Sequence, residues 1–137
     1  MRTLIVEDNA VFRQSLKEML WTYFPSMIIE EAADGREALE KMNSFFPNVI
    51  FMDIGLPGEN GLKIIKRIRT KKFPASIIVL TIHESPEYRD TGYSCGADCF
   101  LTKGNIRGGE IASLLQSIIR EGKDGGQYHT KTNCDIT

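Results

Sequence analysis

Histidine and cysteine, the residues that build most zinc and redox centres, are scarce in this chain of 137 residues: two His and three Cys. Cys95, Cys99 and Cys134 are odd in number and share no CxxC spacing, which argues against a disulfide scaffold and a zinc site. Cys95 and Cys99 are close enough to meet on one helical turn, but small buried side chains account for them better than a metal or redox role. His83 and His129 read as surface residues. No apolar run approaches the ~20 residues that a membrane helix needs. Met1-Arg2-Thr3 has neither the apolar stretch nor the cleavage site of a secretory leader, so a reducing cytoplasm is the expected compartment, with no membrane partner. A basic excess is missing too. Seventeen Lys and Arg against eighteen Asp and Glu leave a net charge of −1, which does not suit a domain built to grip nucleic acid by itself. The length suits one domain with a core that needs no disulfide or metal.

What the chain does have is alternation. Short apolar runs at Leu4–Val6, Met27–Ile29, Val49–Met52, Ile77–Leu80 and Cys99–Leu101 alternate with longer amphipathic stretches. The runs are nearly all apolar, as strands covered on both faces must be. Between them the spacing is helical. Phe12, Leu16, Leu20 and Phe24 recur every fourth residue before Pro25 stops the helix, and Asp34 with Glu37 opens a second helix carrying Ala38, Leu39, Met42, Phe45 and Phe46. Leu62, Ile65 and Ile68 mark a third before Phe73-Pro74, and Ser85-Pro86-Glu87 starts a fourth that Gly96 closes. Ile111, Leu114, Leu115, Ile118 and Ile119 stripe a fifth. Trp21 and Tyr23 flank the first stripe, partly exposed. Lys63, Lys66, Arg67, Arg69, Lys71 and Lys72 read as a solvated helix face. Residues 1–121 therefore predict one α/β domain, a five-stranded parallel sheet with helices on both faces. Residues 122–137, with three glycines and no apolar period, read as a polar tail or the start of a linker.

Sheets of this kind place their chemistry beyond the carboxyl ends of the strands. The polar residues found there are Glu7 and Asp8 after the first run, Asp53 after the third, Thr81 after the fourth and Lys103 after the fifth. Taken singly each has a plain explanation, a helix cap for Glu7 or Asp8 and a turn for Asp53. Together they place three carboxylates near one another, a repulsive arrangement that a cation relieves. All-oxygen donors favour Mg²⁺, with Mn²⁺ as the alternative. A carboxylate that is ionised at neutral pH, a cation, a lysine and a hydroxyl make up the parts needed for phosphoryl transfer to aspartate.

These residues and their surroundings, Ile5-Val6-Glu7-Asp8-Asn9, Met52-Asp53-Ile54-Gly55-Leu56-Pro57-Gly58 and Gly96-Ala97-Asp98-Cys99-Phe100-Leu101-Thr102-Lys103, resemble the signature of response-regulator receiver domains over about residues 3–121. Pro57-Gly58 and Ser85-Pro86-Glu87-Tyr88 look like the NarL/LuxR-type subfamily. The resemblance implies a flavodoxin-like (βα)₅ fold with strand order 2-1-3-4-5. It implies that Asp53 accepts a phosphoryl group from a histidine kinase or phosphotransfer protein. Asp8 and Asp53, the Gly55 carbonyl and, mainly through water, Glu7 would hold Mg²⁺. Thr81 and Lys103 would bind the phosphoryl oxygens, with Phe100 as the aromatic switch. The implied product is a phosphorylation switch rather than a turnover enzyme. Its outputs would be a homodimer formed on phosphorylation and control of transcription, with DNA reached only through a helix-turn-helix domain absent from this chain.

Three departures matter. Gly104 stands where most receivers have proline, Phe100 lacks the tyrosine hydroxyl, and Gly55 has no side chain to steer a hydrolytic water, leaving His83 as the other modulator of dephosphorylation. Gly55 also stands where a dehalogenase-type phosphatase would carry its second acid. Glu7-Asp8 would repel the phosphate of a flavodoxin-like cofactor.

Overall fold

The fold follows from short stretches, most of them too apolar to face water and all too short to be helices. The computed structural model describes residues 1–82 and 86–121. Its elements run β1 (Arg2–Val6), α1 (Ala10–Tyr23), β2 (Ile28–Ala32), α2 (Gly35–Phe45), β3 (Val49–Asp53), α3 (Gly61–Thr70), β4 (Ser76–Thr81), α4 (Pro86–Cys95), β5 (Cys99–Thr102), a 3-10 turn (Lys103–Asn105) and α5 (Gly108–Glu121). All four strand pairs are parallel, in the order β2-β1-β3-β4-β5. This is the doubly wound, flavodoxin-like (βα)₅ sheet that the alternation and the resemblance predict.

Side chains that alternate along each strand feed two separate cores. On one face Leu4, Val6, Ile50, Met52, Ile77 and Val79 meet Met42 of α2, Ile64, Ile65 and Ile68 of α3, and Phe100. On the other, Ile5, Val49, Phe51, Ile78 and Leu80 meet Leu16 and Leu20 of α1 and Ile111, Leu114 and Leu115 of α5. β3 and β4 are buried along their whole length, so they read as unbroken apolar runs.

The structure corrects the sequence reading in five places. The second strand is Ile28–Ala32 rather than Met27–Ile29, because two glutamates belong to it. β2 is an edge strand, and cations from the flanking helices hold those acids: Lys41 pairs with Glu30 at 3.3 Å and Lys17 with Glu31 at 2.8 Å. Phe46 is not on the α2 stripe but caps that helix in the left-handed region (φ 52°), exposed. Ile119 turns outward from α5. Cys95 ends α4 whereas Cys99 opens β5, so they share no helical turn.

Arg69 is the fifth correction. It belongs to no solvated face: its guanidinium donates to the carbonyls of Gly96 (2.8 Å), Phe73 (3.0 Å) and Ala75 (2.7 Å) and to Asp98 Oδ2 (2.8 Å). Asp98 Oδ2 also accepts from the Ile77 N–H at 2.8 Å. One arginine thus ties the end of α3 to the start of β4 and to the turn between α4 and β5. Gly96 closes α4 as predicted, at φ +117°, with its N–H and that of Ala97 returning to the Gly92 carbonyl. α4 begins at Pro86. Ser85, His83, His129, Cys134 and the tail 122–137 lie outside the described residues.

Candidate functional site at the carboxyl edge of the sheet

β1, β3, β4 and β5 end on the same edge, and the turns that follow them carry the polar residues. The cap of α1 decides how Glu7 and Asp8 are presented. Asn9, not either acid, caps the helix: its side-chain oxygen accepts from the N–H groups of Val11 (3.0 Å) and Phe12 (3.1 Å). The two acids are left free for another task. Glu7 is fully buried, its N–H donating to the Ala32 carbonyl at 2.9 Å and its Oε2 accepting from the Asn9 N–H at 3.0 Å. Asp8 is exposed. Asp53 is buried at the tip of β3, and its Oδ1 accepts from the Gly55 N–H at 3.0 Å. One carboxylate oxygen from each of Glu7, Asp8 and Asp53 lies within 4.8 Å of the others, a group able to hold a metal ion.

Lys103 stands over this group. Its Nζ lies 2.7 Å from Glu7 Oε1, 3.3 Å from Asp53 Oδ2 and 4.8 Å from the centre of the Phe12 ring. Burial raises the Glu7 carboxyl above its ordinary value, and the charge of Asp53 adds to the rise while the hydrogen bond from Lys103 opposes it. Burial on its own would lower the Lys103 ammonium, but its hydrogen bond to Glu7 and the charge of Asp53 outweigh that and hold it above the usual lysine value. The site therefore pairs a fixed cation with surplus negative charge, as a divalent-metal site with all-oxygen donors requires.

Thr81 ends β4, buried, one register position beyond Leu80, which pairs with Asp53. Phe100 is buried on β5 rather than poised at the surface. Its ring meets Tyr93 edge-on at 5.2 Å and lies 5.9 Å beneath the Arg89 guanidinium. It occupies a notch in α4 that exists because residue 92 is glycine: a Cβ there would stand 2.1 Å from Phe100 Cζ. Gly92→Ala gains about 1 kcal/mol of helix propensity and incurs about 1–3 kcal/mol of overpacking, so a net loss of stability is expected. Adding Phe100→Leu to that variant should recover stability, read by urea melts of the two variants and the parent. A double variant no more stable than Gly92→Ala would refute the notch.

Sequence reasoning brought Glu7, Asp8, Asp53 and Lys103 together correctly. It missed Asn9, whose position before the first stripe is an N-cap signal. It also missed Gly61, for which the sequence carries no signal. The Gly61 N–H donates to the Ile54 carbonyl at 3.1 Å, and a Cβ there would stand 2.5 Å from the Asp53 carbonyl oxygen. α3 can therefore start against the backbone of Asp53 only with glycine at that point.

The chain is similar to known proteins in sequence and in fold. Residues 3–116 match the sequence model of the response regulator receiver domain. The chain is 36% identical over 121 residues to the transcriptional regulatory protein PhoP of Escherichia coli K12, covering 88% of this chain and 52% of that protein. The virulence transcriptional regulatory protein PhoP of Salmonella typhimurium LT2 matches at the same identity and coverage. The chain thus spans about half the length of these curated relatives. Among solved structures, a LuxR-family two-component response regulator from Aurantimonas sp. SI85-9A1 superposes with a TM-score of 0.78 at 25% identity, covering 87% of this chain and 84% of that one. A CheY-like receiver domain protein from Methanospirillum hungatei JF-1 does so with a TM-score of 0.80 at 25% identity, covering 89% and 95%. With strand order, strand-end acids and family match in agreement, the chain belongs to the response regulator receiver domain family, the signalling switches of two-component systems.

Proposed function

We propose that Asp53 is the phosphoacceptor of this receiver and that residues 1–121 form the receiver unit. The observation that carries the reading is Lys103 Nζ, held between Glu7 and Asp53 beside three converging carboxylates. An Asp53 carboxylate oxygen attacks the phosphorus of a phosphohistidine on a histidine kinase or phosphotransfer protein. A P–O bond forms, the P–N bond breaks, and the imidazole nitrogen leaves and recovers a proton. Lys103 then exchanges a carboxylate partner for a phosphoryl oxygen, and the Thr81 hydroxyl donates to another. Glu7, Asp8, Asp53 and the Gly55 carbonyl would hold Mg²⁺, or Mn²⁺ in its place. The bound cation would neutralise charge on the phosphoryl oxygens.

The phosphoryl group carries about −1.5 to −2 charges where the Asp53 carboxylate carried one, which draws Thr81 and Lys103 inward and repacks β4, α4 and β5 around Phe100. The reading extends to control of transcription from the cytoplasm, through an output domain or a homodimer. It rests there on the relatives' names as transcriptional regulators. No helix among the described residues is long and apolar enough to cross a membrane.

The test uses acetyl phosphate with Mg²⁺. One phosphoryl group per chain, released by hydroxylamine and not incorporated when the cation is chelated beforehand, is expected. Mg²⁺ alone should raise the melting temperature through linkage, and Asp8→Asn should weaken its binding by at least about tenfold. A melting temperature that ignores Mg²⁺ would count against the cluster.

A further inference from the structure

Arg13 lies on the second turn of α1, outside the group that would meet metal or phosphate, yet it grips the peptide that joins Glu7 to Asp8. Its Nη1 donates to the Glu7 carbonyl at 2.6 Å. The Glu7 N–H is held from the other side by the Ala32 carbonyl at 2.9 Å. The carbonyl of Glu7 belongs to the peptide plane that carries the Asp8 nitrogen and Cα, so fixing that plane fixes the N–Cα bond from which the Asp8 side chain branches. Asp8 itself is exposed.

Arg13 is in turn fixed from behind. Its Nε donates to Glu31 Oε1, and Lys17 Nζ holds Glu31 Oε2 at 2.8 Å. The Lys41 ammonium donates to the Glu31 carbonyl. Hydrogen bonds from Lys17 and Arg13 keep the Glu31 carboxyl below its ordinary value, so it stays ionised as their partner. The guanidinium fork is needed for this, because one planar group serves a carbonyl and a carboxylate at once.

We infer that Arg13, backed by Glu31, is a positioning residue for the metal site: it sets the Glu7–Asp8 peptide so that Asp8 converges on Glu7 and Asp53. The inference rests on the phosphoacceptor reading above. Its signature is a sign. Arg13 is a cation near a cation site, so as a mere charge its loss would tighten Mg²⁺ binding. As a positioning residue its loss weakens binding.

The experiment titrates Mg²⁺ calorimetrically into the full chain and, separately, records the metal-free melting temperature. Arg13→Met keeps much of the apolar stem and should weaken Mg²⁺ by on the order of tenfold, the scale seen when a metal ligand loses its supporting partner. Glu31→Gln should weaken it less and add little to Arg13→Met. Lys17→Met removes one of the two cations that hold Glu31 but does not touch Glu7, so it should weaken Mg²⁺ binding less than Arg13→Met does, even if it lowers the metal-free melting temperature. Unchanged or tighter Mg²⁺ binding by Arg13→Met would overturn the inference, as would an equal loss in Lys17→Met. Wild type and Asp8→Asn binding Mg²⁺ alike would overturn the metal-site reading and this inference with it, and so mark that failure apart.

Discussion

Arg69→Met is expected to lower the stability of the fold by about 3–5 kcal/mol, the usual consequence of removing one member of a buried ion pair. Asp98 would be left in its buried position without the guanidinium, and the carbonyls of Phe73, Ala75 and Gly96 would lose this donor. Burial lowers the Arg69 guanidinium, and the charge and hydrogen bond of Asp98 oppose that change. Lys66→Met, on the exposed face of the same helix, serves as the control and should fall within about 0.5 kcal/mol of wild type. Urea denaturation of the three proteins separates the outcomes. Equal midpoints for Arg69→Met and Lys66→Met would show that the pair contributes nothing to stability.

That residue also marks where sequence reading ends. Lys63, Lys66, Arg67, Arg69, Lys71 and Lys72 are one run in text, and charge alone cannot tell which member faces inward. The partner that decides it, Asp98, is 29 positions away. β2 was misplaced for a related reason. Apolar pattern finds strands that are covered on both faces, whereas Glu30 and Glu31 sit in an edge strand because lysines and an arginine from α1 and α2 meet them. Gly92 and Gly61 carry no local signal either, since what each makes room for, Phe100 and the backbone of Asp53, arrives through tertiary packing. The sheet order came from the family resemblance and not from the apolar pattern, whereas the strand-end cluster was legible because it follows from a rule of the architecture: parallel strands gather their carboxyl ends on one edge. Polar residues at those ends converge whatever the loops do.

Asp53→Asn is expected to remove phosphorylation altogether while leaving the fold intact. The amide keeps the size of the carboxylate, and its oxygen can still accept from the Gly55 N–H as Oδ1 does now. A neutral amide, however, is no nucleophile toward phosphorus, and it leaves only Glu7 and Asp8 as charged donors to a cation. Mg²⁺ affinity should therefore fall as well. Lys103 retains Glu7 as a partner at 2.7 Å, so no buried cation is stranded and the melting temperature without metal should change little. Equal labelling of Asp53→Asn and wild type by acetyl phosphate would place the acceptor on another residue.

The most direct measurement needs no variant. Wild-type protein is phosphorylated with acetyl phosphate and Mg²⁺, reduced with borohydride so that any acyl phosphate becomes an alcohol, digested, and sequenced by mass spectrometry. Homoserine at position 53 and at no other aspartate is the predicted result. Homoserine at Asp8, or phosphate that resists reduction and maps to a serine, threonine or histidine, would contradict the assignment of Asp53 as the phosphoacceptor.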